Sequence, residues 1–196
     1  MHLVIACRHA GQHFDSDHGG CIQWNNRRSA EGTPRCPGKQ RGQSVLVYGY
    51  ISDSVARDLA VTLDSDPHIS LVEFDSLGGR LSPAQEMADL IQSRGLDTRV
   101  SSRCASACTV VFLAGRGRYM RAGALFGFHA ASAFNGIIGR DETENMRQRA
   151  IAAGVARSFV ARAYQGTKVW VPSTVELKEA GVVTAILPKL EGTRAP

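Results

Sequence analysis

From Ser44 onward the chain alternates between two hydrophobic rhythms. Residues 44–49 (SVLVYG) form a continuous apolar run closed by glycine, the pattern of a buried strand. Ser52 then opens a segment in which Val55, Leu59 and Leu63 recur every four residues, so one face of a helix is apolar until Pro67 breaks it. Ile69 to Phe74 reads as a second strand, and Asp75 to Gly79 (DSLGG) as the turn after it. Ser82, Pro83 and Gln85 carry a helix-start signal: a serine N-cap, a proline at the first helical position and a glutamine at the capping-box position. Ala84, Met87, Ala88 and Ile91 supply that helix's apolar stripe, Gly95 ends it, and Thr98 to Ser102 is a third strand. Strand–helix–strand–helix–strand order implies crossover units and a largely parallel α/β sheet, in which functional loops follow the carboxyl ends of strands.

Beyond this the rhythm is shorter. Arg118 to Met120 and Leu125 to His129 are two brief strands, and Asn135 to Arg140 is a loop. Asp141 to Tyr164 is predicted as one long helix with Met146, Ile151, Val155 and Phe159 facing inward. Pro172 and Ser173 precede a short helix with Leu177 and Ala180 inward; Gly181 caps it, and Val182 to Leu187 is a last strand. Residues 1–43 show no sustained period and read as a poorly ordered extension, residues 44–188 as one domain, and residues 189–196 as a loose tail.

Composition narrows the function classes. A chain of 196 residues with 43% hydrophobic and 21% charged positions suits a single globular core. The net charge of +5 is spread along the chain, so no nucleic-acid partner is expected. No apolar run reaches the roughly 20 residues of a membrane span. The opening residues lack an export-signal pattern, so a cytoplasmic location is expected, with the periplasm left open should the true start differ. Five cysteines, an odd count without such a signal, do not suggest a disulfide framework. Cys7, His9, His13, His18, Cys21 and Cys36 are the only metal-ligand candidates; their spacing matches no paired zinc motif, and neither a metal nor a cofactor is expected.

The chemistry concentrates between Val100 and His129. Ser106 sits in a cluster of small residues (CASAC, 104–108) between a strand end and an apolar helix start, and His129 closes the next strand pair. A serine, a histidine and the upstream Gly78-Gly79 turn are the parts acyl transfer needs. A tight-packing serine, a core-edge histidine bonded to a carbonyl and an ordinary turn are the plainer readings of the same residues. Cys104 and Cys108 are expected to serve packing, with nucleophilic and redox roles as alternatives.

These residues, in this order, resemble the proteolytic subunit of Clp protease, within the Clp/crotonase fold superfamily and in a divergent bacterial branch. The likeness covers about Val45 to Leu187. Residues 45–52 (VLVYGYIS) resemble the opening strand and helix start, and Asp75 to Gly79 resembles the family's Asn-Ser-Pro-Gly-Gly oxyanion turn. Residues 104–108 stand at the nucleophile position, Phe128-His129 follows at the family's spacing, and Glu179 to Thr184 (EAGVVT) resembles its closing motif. The resemblance implies a Clp/crotonase-like fold of repeated ββα units and a serine peptidase. Ser106 would be the nucleophile, His129 the base, and the backbone N–H groups of Gly79 and Ala107 would hold the oxyanion beside Gly78. It further implies a peptide or protein substrate and a homo-oligomer.

One departure is marked. The family's catalytic aspartate falls at Thr167 here, which has no carboxylate; Glu142, Glu144 and Glu176 are the other residues that could stand beside His129. A catalytically impaired scaffold or regulatory protein is therefore the alternative, and acyl-CoA chemistry on the same fold ranks third. A serine–lysine dyad is disfavoured, Lys168 being the single lysine worth keeping.

Overall fold

A computed structural model describes residues 21–25, 43–132 and 139–189. Among these residues seven strands form one sheet in the order β1-β2-β3-β4-β5-β7, with β6 also pairing β4. These are β1 (Cys21–Asn25), β2 (Gln43–Ile51), β3 (Ile69–Gly79), β4 (Asp97–Ala105), β5 (Arg118–Arg121), β6 (Leu125–Gly127) and β7 (Ala185–Leu187). Every strand pairing is parallel except β1 against β2. The α/β architecture with a mostly parallel sheet is the one the alternating rhythms implied.

The helices are α1 (Asp53–Ser65), α2 (Leu81–Ser93), α3 (Ala107–Leu113), α4 (Arg140–Ala152), α5 (Arg157–Ala163) and α6 (Thr174–Glu179). On α1 the side chains of Val55, Leu59 and Leu63 are buried, and Ser52 caps it by accepting from the Val55 N–H. The stripe Ala84, Met87, Ala88 and Ile91 on α2 is buried too. These faces meet Val45, Val47, Val72, Phe74 and Val100 of the sheet in one continuous core. Helix α3 is buried at every position from Ala107 to Leu113, so it runs through the core rather than along the surface.

Several expectations need correction. The segment read as an irregular extension contributes β1; Cys7, His9, His13, His18 and Cys36 lie outside the described residues, and no metal-binding group is found among the described ones. Strand β3 does not end at Phe74 but continues through the DSLGG segment, because β2 runs on beside it and pairs Tyr50 with Gly78 and Ile51 with Gly79. Helix α2 starts at Leu81, with Arg80 as its N-cap and no side-chain cap, so Ser82 and Pro83 are already inside its first turn. The Arg80 N–H donates to the Ile51 carbonyl, which fixes the start earlier than the serine signal does.

The long helix is two. Gly154 takes a φ of 83°, which ends α4, and the Ala156 N–H donates to the Ala180 carbonyl before α5 begins. A left-handed residue cannot continue a right-handed helix, and glycine adopts it without the Cβ penalty. The loop expected at Asn135 to Arg140 lies mostly outside the described residues, as does the tail beyond Lys189.

Candidate active site

The site is assembled at the carboxyl end of β4. In the sheet Cys104 is paired with Ser76 of β3 on one side and with Phe126 of β6 on the other. The glycine turn, the serine and the histidine strand therefore converge on one strand position. The Ser106 N–H donates to the Gly127 carbonyl at 2.9 Å, so the serine and the strand that leads to His129 are hydrogen-bonded neighbours.

Ser106 has φ 56° and ψ −129°, and it is the one non-glycine residue with positive φ among the described residues. An L-residue held there costs about 1–3 kcal/mol, and such strain gathers at functional positions. Ser106 thus forms a sharp, strained strand-to-helix elbow between the end of β4 and the start of α3. The turn is braced from behind: Thr109 donates to the Ser106 carbonyl through its N–H at 2.9 Å and through Oγ1 at 2.7 Å. The Ala107 N–H is the first of α3, where no intrahelical acceptor is available.

Gly78 lies against the elbow. A Cβ placed on it would come within 2.7 Å of the Ala105 carbonyl oxygen and of Ser106 Cβ, and within 2.9 Å of the Ala107 nitrogen. Its φ of 100° also excludes ordinary side chains. Gly79 packs the other way, against the backbone of Ile51, where a Cβ would collide with that residue's carbonyl oxygen. Ser76 fixes the turn. It is buried, its Oγ donates to the Gly49 carbonyl at 2.5 Å and accepts from the Gly78 N–H at 3.0 Å. Sequence reasoning passed over Ser76 and Thr109; the signal that could have found them is a hydroxyl at a position where the flanking pattern demands an apolar side chain.

His129 is half-buried, and its Nδ1 lies 2.7 Å from the carbonyl oxygen of Ala130. A carbonyl only accepts, so in the neutral ring Nδ1 carries the proton and Nε2 the lone pair. The Ala130 segment is itself pinned: its N–H donates to the Gly166 carbonyl, and the Ala131 N–H donates to Thr143 Oγ1. Among the described residues no carboxylate is bonded to His129, and no hydrogen bond joins it to Ser106. Glu176 is committed to the cap of α6, where the Ser173 N–H, then the Ser173 hydroxyl, hold its carboxyl below the usual range. Glu144 pairs with Arg147 and Gln148, and Glu142 packs at Gly139.

Cys104 and Cys108 are joined by a disulfide, both fully buried. This corrects the expectation that the cysteines form no disulfide and that this pair serves packing first. The cause is the elbow: it folds β4 back into α3 so tightly that the two Cα atoms stand 5.4 Å apart, inside the roughly 4.4–6.8 Å that a disulfide requires.

Solved structures share this fold. A ClpP1 point mutant from Listeria monocytogenes, with aspartate in place of an asparagine, aligns with a TM-score of 0.63 at 19% identity, covering 75% of this chain and 92% of that one. ClpP1 from the same organism aligns with a TM-score of 0.61 at 20% identity, covering 74% and 91%. The fold is ClpP-like. No family model and no curated protein matches the chain in sequence. The ClpP-like fold here is thus a divergent one, kept in shape with little identity. Among the described residues no helix is long and apolar enough to cross a membrane.

Proposed function

We propose that this protein is a serine hydrolase acting on peptide or protein substrates. Ser106 is the nucleophile, His129 the general base and then acid, and the backbone N–H groups of Gly79 and Ala107 receive the oxyanion, with Gly78 allowing the close approach. The observation that carries the reading is the strained Ser106 at the β4–α3 junction with Gly78 packed against it. Ser106 Oγ attacks the substrate carbonyl while Nε2 of His129 takes its proton; the tetrahedral oxyanion forms, then collapses as the imidazolium returns that proton to the leaving amine. Water repeats the sequence to release the acyl group.

The Ala130 carbonyl stands in for the missing aspartate in one respect only. It selects the tautomer with Nε2 free, but a neutral acceptor stabilises the imidazolium less than a carboxylate does. Turnover is accordingly expected to be slower than in a complete triad. That same observation favours the second reading, a scaffold whose site no longer turns over. Assembly into a homo-oligomer rests on the likeness to ClpP alone. The disulfide favours an oxidising compartment such as the periplasm over the cytoplasm, where such bonds are rare.

A fluorophosphonate probe separates the two readings. Covalent labelling of the wild type, abolished in Ser106→Ala and strongly slowed in His129→Ala, is the expected result. An unlabelled wild type, or undiminished labelling of Ser106→Ala, overturns the hydrolase assignment.

A further inference from the structure

We infer that the Cys104–Cys108 disulfide is the positioning element of the nucleophile elbow, so that the reactivity of Ser106 depends on the oxidation state of this pair. The inference rests on the hydrolase reading for its activity arm, while its structural arm stands without it.

Three observations converge. First, the two cysteines occupy the positions two before and two after Ser106, the positions that glycine takes in the G-x-S-x-G form of such elbows, where strand and helix backbones crowd together. Here the crowding is bridged covalently, and the bridge closes a ring around the one non-glycine residue with positive φ among the described residues. Second, Cys104 is the strand position at which Ser76 of the glycine turn and Phe126 of the histidine strand meet. Third, Cys108 directly follows Ala107, whose backbone nitrogen lies against Gly78. The bond therefore ties the start of α3 to the point where the oxyanion turn and the His129 strand are registered. It restrains the geometry that the chemistry needs rather than the fold at large, since the ring spans only the elbow. Two sets of hydrogen bonds oppose relaxation of Ser106: its N–H to the Gly127 carbonyl of β6, and the Thr109 N–H and hydroxyl to its own carbonyl.

The redox step is complete with a dithiol as reductant. Two electrons pass to the bond, the S–S link breaks, Cys104 and Cys108 each take up a proton as thiols, and the dithiol leaves as its own cyclic disulfide. With the link gone, Ser106 is free to leave the left-handed region and carry the Ala107 N–H with it.

The test uses the full chain in three forms: as purified in air, reduced with dithiothreitol with the bond's loss followed by peptide mass, and as the Cys104→Ala/Cys108→Ala double variant. Fluorophosphonate labelling of Ser106 is expected to slow about ten-fold or more when the bond is absent and to recover on reoxidation of the reduced form. Amide hydrogen exchange at Ser106 and Ala107 is expected to quicken by a similar factor, with Thr98 to Val100 in β4 unchanged. Free thiols at Cys104 and Cys108 in the air-purified protein overturn the proposal. So do unchanged labelling and exchange once the bond is gone, and so does a uniform loss of protection along the chain, which marks an ordinary staple. Should the air-purified protein take no label, the hydrolase reading fails while the exchange arm decides alone: acceleration confined to the elbow supports positioning, and its absence overturns it.

Discussion

Gly78→Ala puts the proposed site under the most direct strain. The new methyl group would sit 2.7 Å from the Ala105 carbonyl oxygen, 2.7 Å from Ser106 Cβ and 2.9 Å from the Ala107 nitrogen. Two of these are backbone atoms of the elbow, so no rotamer change relieves the contact. The backbone torsion adds its own cost, because φ of 100° is open to glycine and strained for alanine. Torsional strain of about 1–3 kcal/mol and overpacking of about 1–3 kcal/mol combine to about 2–6 kcal/mol. At roughly 2–4 °C per kcal/mol for a domain of this size, the melting temperature should fall by about 4–24 °C. Gly95→Ala is the control. Gly95 also has positive φ, 61°, but its would-be Cβ meets nothing within 4 Å, so it should show the torsional cost alone and leave labelling intact. Below its own melting temperature, Gly78→Ala should react with a fluorophosphonate about 100-fold more slowly, the effect of displacing an oxyanion donor. Thermal unfolding by circular dichroism and single-turnover labelling measure the two effects separately. A folded Gly78→Ala protein that labels at the wild-type rate would refute the oxyanion reading of this turn, and one no less stable than Gly95→Ala would refute the packing argument.

Two further predictions concern polar groups away from the serine. Tyr164 is almost wholly buried, which pushes its phenol up to about 12 against a smaller opposing effect of the Thr109 hydroxyl, and among the described residues the Tyr164 hydroxyl has no hydrogen bond of ordinary geometry. A raised acid is held neutral by the fold, so its contribution is full below the ordinary value of 10 and is lost as the pH rises toward 12. Tyr164→Phe should therefore lose less stability than wild type between pH 10 and 12, read as urea midpoints, and be no less stable at neutral pH; equal alkaline losses in both would contradict this. Arg118 donates to the carbonyls of Val182 at 2.9 Å and Gly181 at 2.8 Å, fastening the segment between α6 and β7 to β5. Arg118→Met keeps the aliphatic stem and should cost about 2–3 kcal/mol in urea unfolding with an unchanged m-value, whereas a loss under about 0.5 kcal/mol would show that the two carbonyls find other partners.

Local patterns carried far in this chain, for a physical reason. Val55, Leu59 and Leu63 identify α1 because burial of one helix face imposes a period that any sequence reader can count. Pro172 and Ser173 likewise announce α6, where the structure adds a reciprocal capping box between Ser173 and Glu176. Where the reading failed, a partner distant in sequence had the deciding contact. Strand β3 runs on to Gly79 because β2 is there to pair with it, and α2 starts early because Ile51 accepts the Arg80 N–H. The helix break at Gly154 was hidden because Met146, Val155 and Phe159 keep an inward-facing rhythm on both sides of it.

The site divides in the same way. From sequence alone come the order Gly78-Gly79, Ser106, His129, the small residues around the serine and the absence of an aspartate at position 167, since these are matters of residue type and spacing. Tertiary structure decided the conformation of Ser106, which glycine meets the elbow, the tautomer of His129 and the bond between Cys104 and Cys108. Each of those depends on how β3, β4, β6 and α3 approach one another in space. A period along the chain records which side chains are buried, but it holds no measure of the distance between two backbones that meet across a sheet.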